Sequence, residues 1–415
     1  MLNLSIFFNL CFLALLLPSG WLHLAYSNFT WFRDLCMVFA VCANFYVVQF
    51  RVCDRSVYLG VLVLLVFTTP VFASFLARDY DPGLLVVLRW FFVCYWALSF
   101  GCVIRVGLGA RFEFVLFLIV VSYLCVEASI GFYERFRGEF FLSDELNSVS
   151  LTGDRLFKES TMNEPGLIRV KGLQRDVFAF SNLMLCGFVL VSPTLFFSSS
   201  TIQRVAGACL SLFFLSCLYI SGGRSALVGL LGAGIVLLVW SIGRGRPSNR
   251  LTIYALICLV PILGLLFSYF GIVDIVGVGA RILYGTSELG NLDSTLDRDT
   301  VWAGQWNDLF AQPSLFFLGG YFVSVFDQDI VLGVSDNQSL WVLRHFGFIG
   351  MIVYSFGWLL PLIRFEGFGR YSAFYLAAVV GVFSEGVARE SLFYSLTLVG
   401  CFFCGRAGAG GESCG

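Results

Sequence analysis

Charge is scarce in this chain. Asp, Glu, Lys and Arg make up 13% of its 415 residues, and the only histidines are His23 and His345. With two histidines so far apart, a metal site built on imidazole ligands is not expected. No aspartate-rich pair with metal-ligand spacing stands at a segment boundary, so metal-dependent transfer chemistry has no donor set. A glycine-rich phosphate loop between a strand and a helix is missing too, which argues against nucleotide binding. The two long polar stretches, 133–174 and 272–336, contain no cysteine. Most of the 14 cysteines, among them Cys11, Cys42, Cys94, Cys125, Cys209 and Cys258, fall in apolar runs, where they act as small hydrophobes. The one C-x-x-C, Cys401–Cys404, has no second pair and lies in an apolar helix, so it does not read as a metal or redox motif.

What is abundant is hydrocarbon. Hydrophobic residues make up 58% of the chain and aromatics 17%, with 46 phenylalanines and a mean hydropathy of +0.86. Repeated apolar runs of membrane-spanning length define a polytopic α-helical membrane protein. The fold expected is all-α, a bundle of about twelve transmembrane helices with two long periplasmic loops. Spans are read near 4–26, 34–50, 57–77, 83–104, 112–132, 175–198, 203–221, 223–242, 250–271 and 338–363. Two more fill 371–405, parted by Glu385-Gly-Val-Ala-Arg389-Glu390. The first run has no basic segment before it and no small-residue cleavage site after it, so it reads as a retained helix. The chain then divides into N-terminal helices (1–132), a first outer loop (133–174), central helices (175–271), a large outer loop (272–337), and C-terminal helices with a short tail (338–415).

Orientation follows from the placement of Lys and Arg in short connections. With the N-terminus inside, the inner connections hold Arg51, Arg55, Arg105, Arg111, Arg204, Arg244, Arg246, Arg250, Arg364, Arg370 and Arg406. The short outer connections hold only Arg33, Arg78, Arg224 and Arg389. Both termini are therefore expected in the cytoplasm and both long loops outside. Charges within or at the edge of spans are Arg89, Glu127, Arg175, Arg224, Arg344, Glu385 and Arg389, and segment direction puts each at the outer depth. Such groups are costly in hydrocarbon and face polar cavities or one another. A polar, arginine-rich cavity open to the outside is the expectation.

Four constellations carry the chemistry. Asn337, Trp341 and Arg344 fall at i, i+4, i+7 and share one face at the start of the 338–363 helix. Asp336 precedes that helix and is placed to cap it; a cap, an interfacial Trp and a snorkelling Arg would give the same pattern. His345 lies on an adjacent face and reads as packed. Ser221-Gly-Gly-Arg224-Ser-Ala turns between two spans, where the guanidinium and a helix start would both favour phosphate, or would form an ordinary hairpin. In the large loop, Arg298 and Trp302 fall at i, i+4 in a segment of helical character, 295–311. The first outer loop ends on a basic edge, Arg169-Val-Lys-Gly-Leu-Gln-Arg175.

Taken in order, these motifs resemble the bacterial O-antigen ligase/O-antigen polymerase superfamily of integral membrane glycosyltransferases. The matching pieces are Arg169-Val-Lys-Gly172, Ser221-Gly-Gly-Arg224-Ser-Ala, Arg298…Trp302 ahead of Gly319–Gly320, and Ser335-Asp-Asn-Gln-Ser-Leu…Gly347-Phe-Ile-Gly350. The resemblance covers roughly residues 165–360 in motifs and the whole chain in topology. It implies metal- and cofactor-independent transfer of a glycan from undecaprenyl diphosphate to an acceptor at the periplasmic face of the bacterial inner membrane. Arg224 and Arg298 would stabilise the departing diphosphate, whose charge grows in the transition state. Arg169, Arg175, Trp302, Asn337, Trp341 and Arg344 would bind diphosphate or glycan. The ligases carry a His just before the Asn of the last motif, where this chain has Asp336. That departure favours the polymerase branch, with Asp336 as a candidate base and a chain-length regulator as an implied partner. The alternatives are a ligase moving glycan to lipid A core or protein, and a flippase for lipid-linked oligosaccharide. A flippase needs a polar path through both leaflets or two pseudo-symmetric halves, and the sequence offers neither.

Overall fold

The structure is a computed structural model that describes residues 2–16, 29–49, 96, 100, 103, 109–138, 140–141, 162–164, 167–168, 170–174, 177–198, 200–221, 229–230, 232–237, 239, 303–323, 338–363 and 370–384. Regular structure among them is helical apart from one antiparallel pair, β1 (Met162–Glu164) with β2 (Leu167–Ile168), in register Met162↔Ile168 and Glu164↔Leu167. That pair lies within the first long loop and was not expected of an all-α chain.

The helices are α1 (Leu2–Leu16), α2 (Phe29–Gln49), α3 (Gly109–Arg137), α4 (Val177–Phe197) and α5 (Thr201–Ile220). After them come helical residues at 229–230, 232–237 and 239, then α6 (303–311), α7 (Pro313–Leu318), α8 (Gly320–Val323), α9 (Gln338–Ile363) and α10 (Arg370–Ser384). Most ends lie close to the hydropathy-based ones, and α9 reproduces its expected span. Two differ in a way that matters. α3 continues to Arg137, past the expected end at 132, because Tyr133 to Arg137 keep the helix going while charge rises. α2 begins at Phe29, so Arg33 lies inside a helix, buried beside Asp34, and not in a short connection.

α4 organises the bundle. Its residues from Ala179 to Ser192 are buried all round, as expected of a helix with apolar residues on every face. It packs against α5 in an antiparallel hairpin and also against α3 and α10. By contrast α3 and α5 turn Phe114, Val115, Leu118, Ile119, Ile202, Val205 and Leu212 outward. Among the described residues two segments, Arg111–Arg137 and Thr201–Leu218, are long and apolar enough to cross a membrane. Faces of that kind would be an association hazard in water and are ordinary against lipid.

α1 and α2 are joined by a polar clasp. Asn9 and Asn44 exchange amide hydrogen bonds, Nδ2 to Oδ1 at 2.6 Å one way and 3.0 Å the other, and the Ser5 hydroxyl donates to Asn44 Oδ1 at 2.7 Å. All three side chains are fully buried in otherwise apolar helices.

Candidate functional site

Two arrangements bear on the site expected from sequence. The first is at the end of α3. Glu127, Gly131 and Glu134 recur at i, i+4, i+7, so they share one face. Both glutamates are buried, and both accept hydrogen bonds from the segment 171–174. Glu134 Oε2 accepts the backbone N–H of Lys171 and of Gly172, each at 2.9 Å, while Oε1 accepts that of Phe141 at 3.0 Å. Glu127 Oε1 accepts from the Leu173 N–H at 2.9 Å and from Gln174 Nε2 at 3.0 Å, and the Tyr123 hydroxyl donates to Oε2 at 3.3 Å.

Glycine makes this grip feasible. Gly172 has φ +57°, and a Cβ there would stand 2.9 Å from Glu127 Oε1 and 3.1 Å from the Phe180 ring. A side chain would be strained by the backbone and would press on the clamp itself.

The clamp also decides which groups on the turn remain for an anion. Successive backbone N–H groups of this kind commonly make an anion nest. Here they are spent on carboxylates. The Lys171 ammonium lies 4.6 Å from the centre of the Phe140 ring, and the residue is buried. Arg169 and Arg175, the basic residues that flank this turn in sequence, lie outside the described residues.

The turn leads into α4, and the α4–α5 hairpin returns the chain to the same end. There Ser181 donates to the Ser221 hydroxyl at 2.9 Å, and Ser221 donates to Leu218 O at 2.6 Å. Ser221 is the described residue of the Ser-Gly-Gly-Arg motif; 222–228 lie outside the described residues. Gln174, just ahead of α4, and Ser221, at the end of α5, thus lie at the same end of the α4–α5 hairpin.

The second arrangement surrounds the start of α9. Gly347 breaks the helix with φ 70° and ψ −173°. Gly319, between α7 and α8, has φ 80° and lies backbone to backbone with it. A Cβ on Gly319 would come within 2.3 Å of Gly347 N and Phe346 C, and one on Gly347 within 2.4 Å of Phe317 O. The two glycine motifs noted in the sequence are therefore the two sides of one crossing.

Trp341 and Arg344 are both half-buried on α9. The Trp341 ring stacks on His345 with centroids 4.1 Å apart at 19°, and Tyr321 lies 5.4 Å from the same imidazole. His345 Nδ1 is 2.8 Å from Trp341 O; a carbonyl only accepts, so Nδ1 carries the hydrogen. His345 is thus held between aromatics, as its sequence position suggested. Among the described residues no hydrogen bond or ion pair reaches Arg344.

Of the other expected site residues, Arg224, Arg298, Asp336, Trp302 and Asn337 also lie outside the described residues. Sequence reasoning missed Glu134 and Tyr321. The signal for Glu134 was present as the Glu127–Gly131–Glu134 spacing, but Glu134 fell past the last clearly apolar residue and was assigned to a loop.

The chain matches no known family model, and no curated protein matches it.

Proposed function

We propose that this chain is a polytopic inner-membrane glycosyltransferase that polymerises undecaprenyl-diphosphate-linked repeat units at the periplasmic face. The reading takes the full bundle of about twelve spans, both termini cytoplasmic, from the hydropathy and charge pattern. The observation that carries it is the convergence at the end of the α4–α5 hairpin. The clamped turn at 171–174 is followed by Arg175 just before α4, and Ser221, bonded to Ser181, is followed by Arg224 three residues on. On this reading the arginines of the two motifs, which lie outside the described residues, would flank one end of a rigid element, as diphosphate binding requires.

In this mechanism Arg224 and Arg298 neutralise the charge that grows on the departing diphosphate, and Arg169, Arg175 and Arg344 orient it. Trp302, Trp341 and Asn337 contact the glycan. Asp336 takes the proton from the acceptor hydroxyl. No metal or cofactor enters. A chain-length regulator is the partner such a polymerase would work with.

The test is a surface-glycan ladder from cells lacking the protein, complemented with wild type, Arg224→Ala or Arg298→Ala. Single repeats capped on the final acceptor, with no ladder, are expected in the deletion and in both variants at normal expression. Long glycan accumulating on the lipid carrier would instead make the protein a ligase. Repeats trapped on the cytoplasmic side would sink both enzyme readings in favour of a flippase.

A further inference from the structure

The large polar stretch before α9 holds an apolar interior. Between Asp308 and Asp327 there is no Asp, Glu, Lys, Arg or His. This stretch begins in α6 and continues through α7 and α8, which do not hang free. Leu309 and Leu315 bury against Leu340 and Leu343 of α9, with Phe316 and Met351 packed alongside. The Gly319–Gly347 crossing fixes how deep the segment goes. Gly347 lies nine residues beyond Gln338, the first residue of α9, which at the helical rise is about 13 Å along the axis.

Beside Gln312 and Ser314, which are exposed at the α6–α7 turn, the large outward side chains are aromatic and aliphatic. Trp306, Phe310, Phe317, Leu318 and Phe322 of the segment are exposed, as are Phe348, Ile349 and Ile352 of α9. They form one surface. Trp306 stacks on Phe310 at 5.7 Å, Phe310 on Phe316 at 5.5 Å, and Phe316 on Phe348 at 5.8 Å. Phe317 meets Phe348 edge-on at 6.5 Å.

We infer that residues 309–323 form a re-entrant hairpin sunk in the outer leaflet, with the Phe310–Phe317–Phe348 surface facing acyl chains of the host bilayer. Backbone accounting supports lipid as the occupant. Hydrocarbon tolerates a non-helical turn only where its polar groups are buried in protein or bonded internally. Here the turn glycines are buried, Phe316 N–H bonds Gln312 O, Gly319 N–H bonds Leu315 O, and Val323 N–H bonds Gly319 O. The aromatic surface is also continuous with the exposed apolar side of α9, Ile349 and Ile352. The inference rests on α9 crossing a membrane and is independent of glycosyl transfer.

The test places the photoreactive analogue p-benzoylphenylalanine at Phe310, Phe317 or Phe348 of the full chain in lipid nanodiscs, with Leu212 on α5 as the span reference. After irradiation, phospholipid adducts are counted by mass spectrometry. Adduct yields at Phe310 and Phe317 within about twofold of the Leu212 site are expected for a surface at hydrocarbon depth. Lipid adducts at Leu212 and Phe348 with none at Phe310 and Phe317 would overturn the hairpin while leaving the spans intact. Crosslinks from Phe310 or Phe317 to a second copy of the chain would overturn it as well. Failure at Leu212 itself would remove the membrane-spanning reading on which both proposals stand.

Discussion

The two glutamates of the clamp differ in what surrounds them, and that difference is testable by a change of one atom. Both carboxylate oxygens of Glu134 face backbone N–H groups, which only donate. In Glu134→Gln the amide NH2 must meet one of those donors, leaving buried groups unpaired at a cost of about 1–3 kcal/mol. Glu127 has its two fixed donors on Oε1, while Oε2 faces a hydroxyl, which can rotate to accept. Glu127→Gln is therefore expected to be nearly neutral. Thermal unfolding of the purified variants checks the pair: a large drop for Glu134→Gln and a small one for Glu127→Gln. Equal losses would mean that charge, and not donor count, governs the clamp.

Glycine at the crossing predicts a contrast of the opposite kind. Gly319→Ala or Gly347→Ala sets a methyl against backbone at a left-handed φ, and the combined strain and overlap are on the order of 3 kcal/mol. Gly304, on α6, has nothing within 4 Å of its missing Cβ, so Gly304→Ala is expected to raise stability by about 0.5–1 kcal/mol. Comparing the three melting midpoints in one detergent gives the sign and order directly.

At the scale of elements, what could be read from sequence is what depends on local hydropathy. The spans of α4, α5 and α9 follow from apolar runs, and their ends agree to within about two residues, the usual spread of such boundaries. What could not be read depends on contacts across the chain. Glu134 is significant because of a turn 37 residues later, and no local pattern announces that. The Gly319–Gly347 pairing likewise couples a loop to the middle of a helix, whereas Gly347 alone in an apolar run looks like one more tolerated glycine. Of the expected site, the scaffold for the 169–175 edge and the Trp341–Arg344 face is visible. Hydropathy could not say how a motif is gripped.

For the whole molecule, the distribution of exposure is the informative quantity. α4 is buried on all sides while α3 and α5 present phenylalanine, leucine and isoleucine outward, an arrangement suited to a solvent without hydrogen bonds. Polar side chains in such a solvent must find partners inside the bundle, and the Asn9–Asn44 pair is a case of it. Asn44→Leu alone removes the partner of Asn9 Oδ1 and of the Ser5 hydroxyl hydrogen, while Asn9 Nδ2 keeps the Ser5 carbonyl; the cost is about 1–3 kcal/mol, whereas Asn9→Leu with Asn44→Leu removes both amides and should recover most of that loss. A double-mutant cycle on unfolding in mixed micelles gives the coupling; purely additive losses would show that the two amides do not depend on each other.

The same clasp has a consequence for synthesis. On the proposed membrane reading, α1 and α2 each carry an amide that hydrocarbon disfavours until the other arrives. The pair is then expected to remain at the insertion machinery until α2 is complete and to enter the bilayer together. α1 carrying Asn9→Leu would be released as soon as its own length allowed.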